Sequence, residues 1–277
     1  MVRKYAYKPD PYSPLDYPYV QGAVLLAAKG QRLGVGLPVA VDLRADAPPI
    51  WDQGEEGSCV AHALCGGRDV VEIQAAKRRG QSIEPVLFSR QWLYRRCLET
   101  EHTFPQDGGC SLRTGLDIMF NIGVPPEADF PYQAGHFIDV PPTEADVDAS
   151  AYKIGPYYRI STTRQLLRTL GYGHVCAVGI GLWKSFESDQ VASTGIVPMP
   201  GSNEDYIGGH AVLLVGYDQA DETFLVRNSW GADWGIAGYC KIPFAYFEPQ
   251  PSSTPLDWPM GYANDCWVFV AQEGGAR

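Results

Sequence analysis

The sequence predicts an α+β fold in which a largely helical first part is followed by a strand-rich second part, with an extended arm ahead of both. Three observations lead there. After Ser58, apolar residues recur three and four positions apart. From Gly155 onward they gather into short apolar or β-branched runs with turn residues between them. Residues 1–20 hold Tyr5, Tyr7, Tyr12, Tyr17 and Tyr19 among Pro9, Pro11, Pro14 and Pro18, a proline density that forbids regular helix and favours extended backbone.

Taken in order, the arm covers residues 1–40, its tyrosines carrying enough apolar area to lie against a surface and its last twenty residues Gly-rich and weakly patterned. The folded domain, residues 41–277, begins near Val41-Asp42-Leu43-Arg44. A loop rich in Pro and Gly leads to Ser58. A helix then follows from Cys59, carried by Val60, Ala63, Leu64, Val70, Val71 and Ile73 and stopped at Gly80 after Lys77-Arg78-Arg79, the cations that a helix C-terminus favours. Gly66-Gly67 inside it is costly for a helix and points to close packing. Further helices are expected at 89–98 and 112–121, and strands at 175–182, 210–217 and 223–226. The change of pattern near residue 150 divides the domain into a helical lobe, about 41–150, and a β lobe, about 151–277.

A chain of 277 residues, 45% hydrophobic and 12% aromatic, can bury a sizeable core. Its formal charge of −10 and lack of any Lys/Arg-rich run argue against nucleic-acid partners, which need a basic surface. No run approaches the roughly 20 apolar residues of a membrane span, and the apolar run 22–28 is too short and too deep for a signal peptide. The compartment is left open. The seven cysteines, Cys59, Cys65, Cys97, Cys110, Cys176, Cys240 and Cys266, cannot all pair within the chain. Their scatter, without a CxxC, disfavours a disulfide scaffold or a four-cysteine zinc site.

Cys59 starts a helix just after a glycine-containing loop. The thiolate is the attacking species, and a helix N-terminus stabilises negative charge there. Position alone also fits a buried structural thiol. His210, expected to open a strand, is followed across a polar turn by the strand ending before Asn228, and an antiparallel hairpin returns the two to the same end. A base with an uncharged amide to orient it suits a site resting as a thiolate–imidazolium pair. Gln53, six residues before Cys59, offers an amide N–H that, with the Cys59 backbone N–H, can hold an oxyanion. His62 and Cys65 follow Cys59 at intervals of three, but positions six apart turn away from each other and no further ligand pair completes a metal site. His102, His136 and His174 read as surface or core histidines. Gly179-Ile180-Gly181 is too short for a nucleotide fingerprint. Neither metal nor cofactor is expected.

Gln53-Gly54, Gly57-Ser58-Cys59, Gly208-Gly209-His210-Ala211-Val212 and Val226-Arg227-Asn228-Ser229-Trp230-Gly231 together resemble the papain family of cysteine peptidases. Phe88-Ser89-Arg90-Gln91, Asp107-Gly108-Gly109-Cys110, Phe130-Pro131-Tyr132, Trp234-Gly235 and Gly238-Tyr239 resemble the segments between and after, so the likeness runs over about 41–270. The resemblance implies a two-lobe fold, one lobe helical and one built on an antiparallel barrel-like sheet, with a cleft between them. It implies peptide-bond hydrolysis of a polypeptide substrate through an acyl-enzyme. Cys59 would attack, His210 would pair with the thiol and protonate the leaving amine, Asn228 would hold the imidazole, Gln53 would donate to the oxyanion and Trp230 would shield the His–Asn contact. Gly108, Gly109 and the Gly209 carbonyl would meet substrate backbone, Cys110 would sit where side chains shape specificity, and Gly57 and Ser58 would support the nucleophile.

The sequence departs from the family where Glu56 stands in place of a disulfide cysteine and Val60 in place of an aromatic. Cys97 and Cys110 are left as a candidate pair. Two other functions stay open: a Cys-His acyl-transfer enzyme or amidase, which the double glycine and Asn-Ser-Trp-Gly disfavour, and a non-catalytic binding protein, which the intact Gln, Cys, His and Asn disfavour. Two roles are likewise open to the arm. It either lies along the cleft as a pro-segment, or packs on the back of a lobe. The family's inhibitory segments are longer and helical. Oligomeric state is not legible.

Overall fold

The computed structural model describes residues 3–11, 13–29, 36–80, 86–250 and 258–272. Met1, Val2, Tyr12 and residues 30–35 of the arm, and residues 251–255 of a small Pro/Ser patch, lie outside the described residues. The arm has no regular helix before Pro18 and turns at Pro14–Asp16, where Asp16 N–H donates to Ser13 O, but the stretch read as weakly patterned opens with helix α1 (Tyr19–Lys29). Its Ala and Leu content favours helix once Pro18 is passed, and docking of Tyr19 and the fully buried Leu26 supplies what local pattern does not. Strand β1 (Ala40–Asp42) follows.

Helix α2 (Cys59–Arg78) is the axis of the molecule. Its first half is buried on nearly every side, so Cys59, Ala61, His62 and Cys65 lie inside together with Val60, Ala63 and Leu64 of the periodic set. A side chain at Gly67 would stand 3.0 Å from Phe269 and 3.2 Å from Leu213, so the glycine lets the helix lie directly on the sheet. Helices α3 (Arg90–Thr100) and α4 (Leu112–Asn121) pack against it, their first turns capped by Ser89 and Ser111, whose hydroxyls accept from the backbone N–H groups of Trp92 and Thr114. Inside this half, Arg90 pairs with Asp69 of α2 at 2.6 Å with both side chains buried, and lies over the Trp51 ring.

The second half contributes α5 (Thr143–Ala149), β2 (Ile154–Ile160), α6 (Thr163–Gly171), β3 (Cys176–Trp183), α7 (Asp189–Thr194), β4 (Tyr206–Asp218), β5 (Thr223–Arg227), β6 (Tyr239–Pro243) and β7 (Ala263–Ala271). The strands form one antiparallel sheet in the order β2-β7-β3-β4-β5-β6, with β1 added to β4. The sheet does not close into a barrel: β2 and β6 end the strand order without pairing with each other, and are bridged instead by Pro18 and Ile196. Strand β3 is buried at every position, because α2 covers one face and other elements the second. No helix among the described residues is long and apolar enough to cross a membrane.

Candidate active site

Cys59 is the first residue of α2 and is fully buried. Strand β4 crosses this end of the helix, and the backbone N–H of Ala211 reaches the Cys59 thiol. His210 therefore stands beside Cys59. It does not open its strand, as the sequence suggested, but lies inside β4, which runs on from Tyr206 because Gly208 and Gly209 allow pairing with β3 to continue.

The β4–β5 hairpin returns the chain to Asn228, and His210 Nε2 lies 2.8 Å from Asn228 Oδ1. The Ser229 backbone N–H also donates to that Oδ1, at 2.9 Å. A backbone N–H can only donate, so the amide oxygen is fixed as acceptor and the ring must carry its proton on Nε2. Nδ1 is left as the free lone pair, buried and without a hydrogen-bond partner. The imidazole is further held by the Trp230 ring, with centroids 5.1 Å apart, inside a cluster that includes Trp234 and Phe186. Asn228 itself is steadied by the segment after it: its N–H donates to Gly238 O, and Gly238 donates back to Trp234 O.

Burial pushes the Cys59 thiol up to about 12, against the pull of the Ala211 N–H, and pushes His210 down to about 4, against the pull of Asn228. Both changes favour the neutral form. Desolvation is the cause in both cases, since burial disfavours a charge on either group.

Gln53 is buried beside them. Its Nε2 donates to Glu56 O at 2.8 Å and its Oε1 accepts from Ser229 Oγ at 2.6 Å, so one amide hydrogen is committed and the other is left for a ligand. Gly57 N–H donates to Asp107, and Ser58 Oγ lies 2.9 Å from Tyr132 OH, which also donates to Gln53 O. Glu56 turns inward and accepts from Gly135 N–H at 2.8 Å, a polar tie where the resemblance leads one to look for a disulfide; burial raises its carboxyl to about 7. All seven cysteines are buried free thiols, with Cys110 hydrogen-bonded to Cys97. Cys65 and His62 turn to Ser89 O and Ser58 O, not to each other.

The cleft beside Cys59 is filled by the arm. Ala6 bridges to Gly209, Tyr7 N–H donates to Gly209 O at 3.2 Å, and Lys8 N–H donates to Cys110 O at 3.1 Å. Gly109, at φ +66°, has room for no side chain: a Cβ would fall 1.7 Å from Ala6 O. Gly108 lies further out, with Lys8 Nζ 3.9 Å from where its Cβ would be. Tyr5 packs edge-on to His210 and donates its hydroxyl to Glu187. Arg3 lies over Trp230, Lys4 pairs with Asp107 and Lys8 with Glu101.

Four residues of this region were given no role by the sequence. Asp107 joins the Gln53–Ser58 loop to the double-glycine turn by accepting from Gly57 N–H and Tyr94 OH; its place before Gly108 in a family-like segment was its one mark. Tyr132 was legible as part of a family-like segment but not as the clamp on Gln53. Glu187 and Asp265, which receive the hydroxyls of Tyr5 and Tyr7, come from the far half of the chain.

A family model described as papain family cysteine protease matches residues 37–246. An uncharacterized peptidase C1-like protein of Acanthamoeba polyphaga mimivirus is 36% identical over 227 residues, which is 79% of this chain and 68% of that protein. Cysteine proteinase 2 of Zea mays is 30% identical over 218 residues, 75% of this chain and 56% of that protein. Several of these curated relatives are thus matched over less than two thirds of their own length. The crystal structure of xylellain, a cysteine protease from Xylella fastidiosa, shares 29% identity and a TM-score of 0.80, covering 99% of both chains.

Proposed function

This chain belongs to the papain family of cysteine proteases, and we propose that it hydrolyses peptide bonds with Cys59 as nucleophile, His210 as base and Asn228 as orienter. The observation that carries this is the fixed tautomer: Asn228 Oδ1 accepts a hydrogen bond from Nε2–H, leaving Nδ1 as a lone pair on the ring beside Cys59. With the cleft open to substrate and water, Nδ1 takes the thiol proton and the sulfur attacks the scissile carbonyl. The carbonyl oxygen becomes an oxyanion, for which the second Gln53 amide hydrogen and the Cys59 backbone N–H are the donors. Collapse breaks the C–N bond, His210 returns its proton to the leaving amine, and water cleaves the thioester with the same imidazole as base. Gly109 and the Gly209 carbonyl line the track for substrate backbone, with Gly108 and Cys110 beside them, and Trp230 keeps water from the His–Asn contact.

In the same reading, residues 1 to about 40 are a restraint on a peptidase domain of residues 41–277, whose helical and β lobes meet at this cleft. The support is that residues 3–8 already occupy the hydrogen-bonding edges, Gly209 O and Cys110 O, that a substrate would need.

The experiment is titration with a thiol-reactive peptide analogue, alongside Cys59→Ala. One equivalent of label on Cys59 and loss of all peptide hydrolysis in a folded Cys59→Ala protein are expected. Labelling of a different cysteine with activity surviving in Cys59→Ala would end the assignment. Acyl transfer to an added amine in excess of hydrolysis would move the protein to the transferases.

A further inference from the structure

The Tyr7 side chain enters a slot that the proposed chemistry does not use. Its ring lies over two glycines: a Cβ at Gly179 would come within 2.1 Å of Tyr7 Cζ, and one at Gly209 within 2.8 Å of Cδ1. Trp258 meets the ring edge-on with centroids 6.4 Å apart. At the end of the slot the Tyr7 hydroxyl donates to Asp265.

Asp265 is placed there by an irregularity in β7. Asn264 pairs with Gly179 of β3 and Trp267 with Ala177, three steps on one strand against two on the other. The extra residue is taken up at Asp265, whose φ is +48°. A side-chain-bearing residue in the left-handed region inside a strand is strained, and bulges of this kind re-aim a side chain. Here the bulge turns a carboxylate into an otherwise apolar slot. Asp265 is 2% exposed and lies 2.8 Å from Arg159 Nη2, so its charge has one fixed partner. Its remaining contacts, the Tyr7 hydroxyl and the Asp10 N–H, both come from the arm.

The slot opens at the Gly209 carbonyl, one residue from His210, so whatever side chain a bound peptide presents there must fill it. When the arm leaves, Asp265 loses two donors at once and keeps only Arg159. We propose, on the basis of the peptidase reading, that this slot is a specificity pocket and that Asp265 selects a tyrosine side chain in the substrate by accepting its hydroxyl. The two glycine walls fit a flat ring. Phenylalanine or leucine fills the space but leaves the carboxylate oxygen unpaired. An arginine or lysine would bring a second cation next to Arg159, which has already lost the Asp10 carboxylate 3.3 Å away. A phenol supplies the missing donor without adding charge.

The test uses the full chain and fluorogenic peptides in which each of the three residues before the cleaved bond is varied among tyrosine, phenylalanine, O-methyltyrosine, leucine and arginine. A docked arm lowers kcat/KM for every peptide by the same open fraction, so it cancels in the ratio of two peptides. At one of the three positions tyrosine should exceed phenylalanine, O-methyltyrosine, leucine and arginine by roughly 10- to 100-fold, the range for a hydrogen bond to a charged acceptor. In Asp265→Ala that ratio should fall to near one. Values within about twofold for tyrosine and phenylalanine at all three positions, or a tyrosine preference that persists in folded Asp265→Ala, would overturn the proposal while leaving the peptidase reading intact. If Asp265→Ala does not fold, the wild-type comparison of tyrosine with phenylalanine and O-methyltyrosine decides alone. No turnover of any peptide together with no labelling of Cys59 would remove both.

Discussion

Truncating Tyr7 to alanine removes the most deeply seated side chain of residues 3–8 and leaves every residue of the proposed catalytic set untouched. Tyr7 is 5% exposed and is held by the two glycine walls, by Trp258 and by its hydrogen bond to Asp265. Truncation of a buried aromatic side chain costs about 3–5 kcal/mol. The arm can shift into the space left, so the lower end, about 3 kcal/mol, is the appropriate figure. At about 1.4 kcal/mol per factor of ten, the population with the arm out of the cleft should rise roughly 100-fold, for as long as the closed form dominates. The assay is the second-order rate constant for labelling Cys59 by a peptide-like thiol reagent, which needs the cleft cleared, with kcat/KM on a peptide measured in parallel. Both should rise by about that factor, while iodoacetamide, a smaller reagent, should respond less. Tyr17→Ala, at a position 59% exposed, is the control and should change neither. Labelling and turnover within twofold of wild type in a folded Tyr7→Ala protein would refute the view that the arm closes the cleft.

His210→Ala should nearly eliminate turnover, whereas Asn228→Ala should cost less, since it frees the ring without removing the base; equal losses in kcat would contradict those roles. Gln53→Ala should lower kcat by ~10²–10³ with little change in KM if its free amide hydrogen serves the oxyanion, and an unchanged kcat would remove it from that site. Burial and the neighbouring Asp265 carboxylate raise the Asp10 carboxyl to about 6 in the docked arm. The docked form therefore holds a proton that a free arm releases, so docking is strongest in acid and weakens as pH rises through about 6. Labelling of Cys59 should accelerate across that window more in wild type than in Asp10→Asn, and identical pH profiles for the two would exclude Asp10 as the source.

Much of the helical half was legible because its signals are local. Ser89 and Ser111 precede apolar-periodic runs and do cap α3 and α4, and α2 begins at Cys59 as the loop-to-pattern change indicated. The His210–Asn228 encounter was legible for a related reason: a hairpin of known turn fixes which residues face each other. What escaped depends on contacts far apart in sequence. Helix α1 has little pattern of its own and takes its stability from docking Leu26, whose carbonyl meets His174. Asp265 lies in a strand the sequence pattern did not mark, and the bulge that turns it inward is set by pairing with β3.

Residues 3–8 of the arm lie in the cleft, Asp10, Pro11 and Asp16 are tied to Arg113 and Arg159, and the way these are joined along the chain has a consequence. Pro18 bridges to Arg159 and α1 is docked behind it, so the stretch that fills the cleft is joined covalently to that anchor through residues 11–17, in which Asp16 also pairs with Arg113 and Arg159. A short tether of this kind keeps its ligand at an effective concentration in the millimolar range, whatever the concentration of the protein itself. A weak contact set is therefore enough to keep the cleft filled in the intact chain. One cut within residues 11–17 would leave all those contacts in place yet turn the blocking segment into a free peptide, diluted about a thousandfold at micromolar protein. The switch would then lie in the continuity of the chain, not in the strength of any single contact, and added arm peptide would restore the block only at millimolar levels.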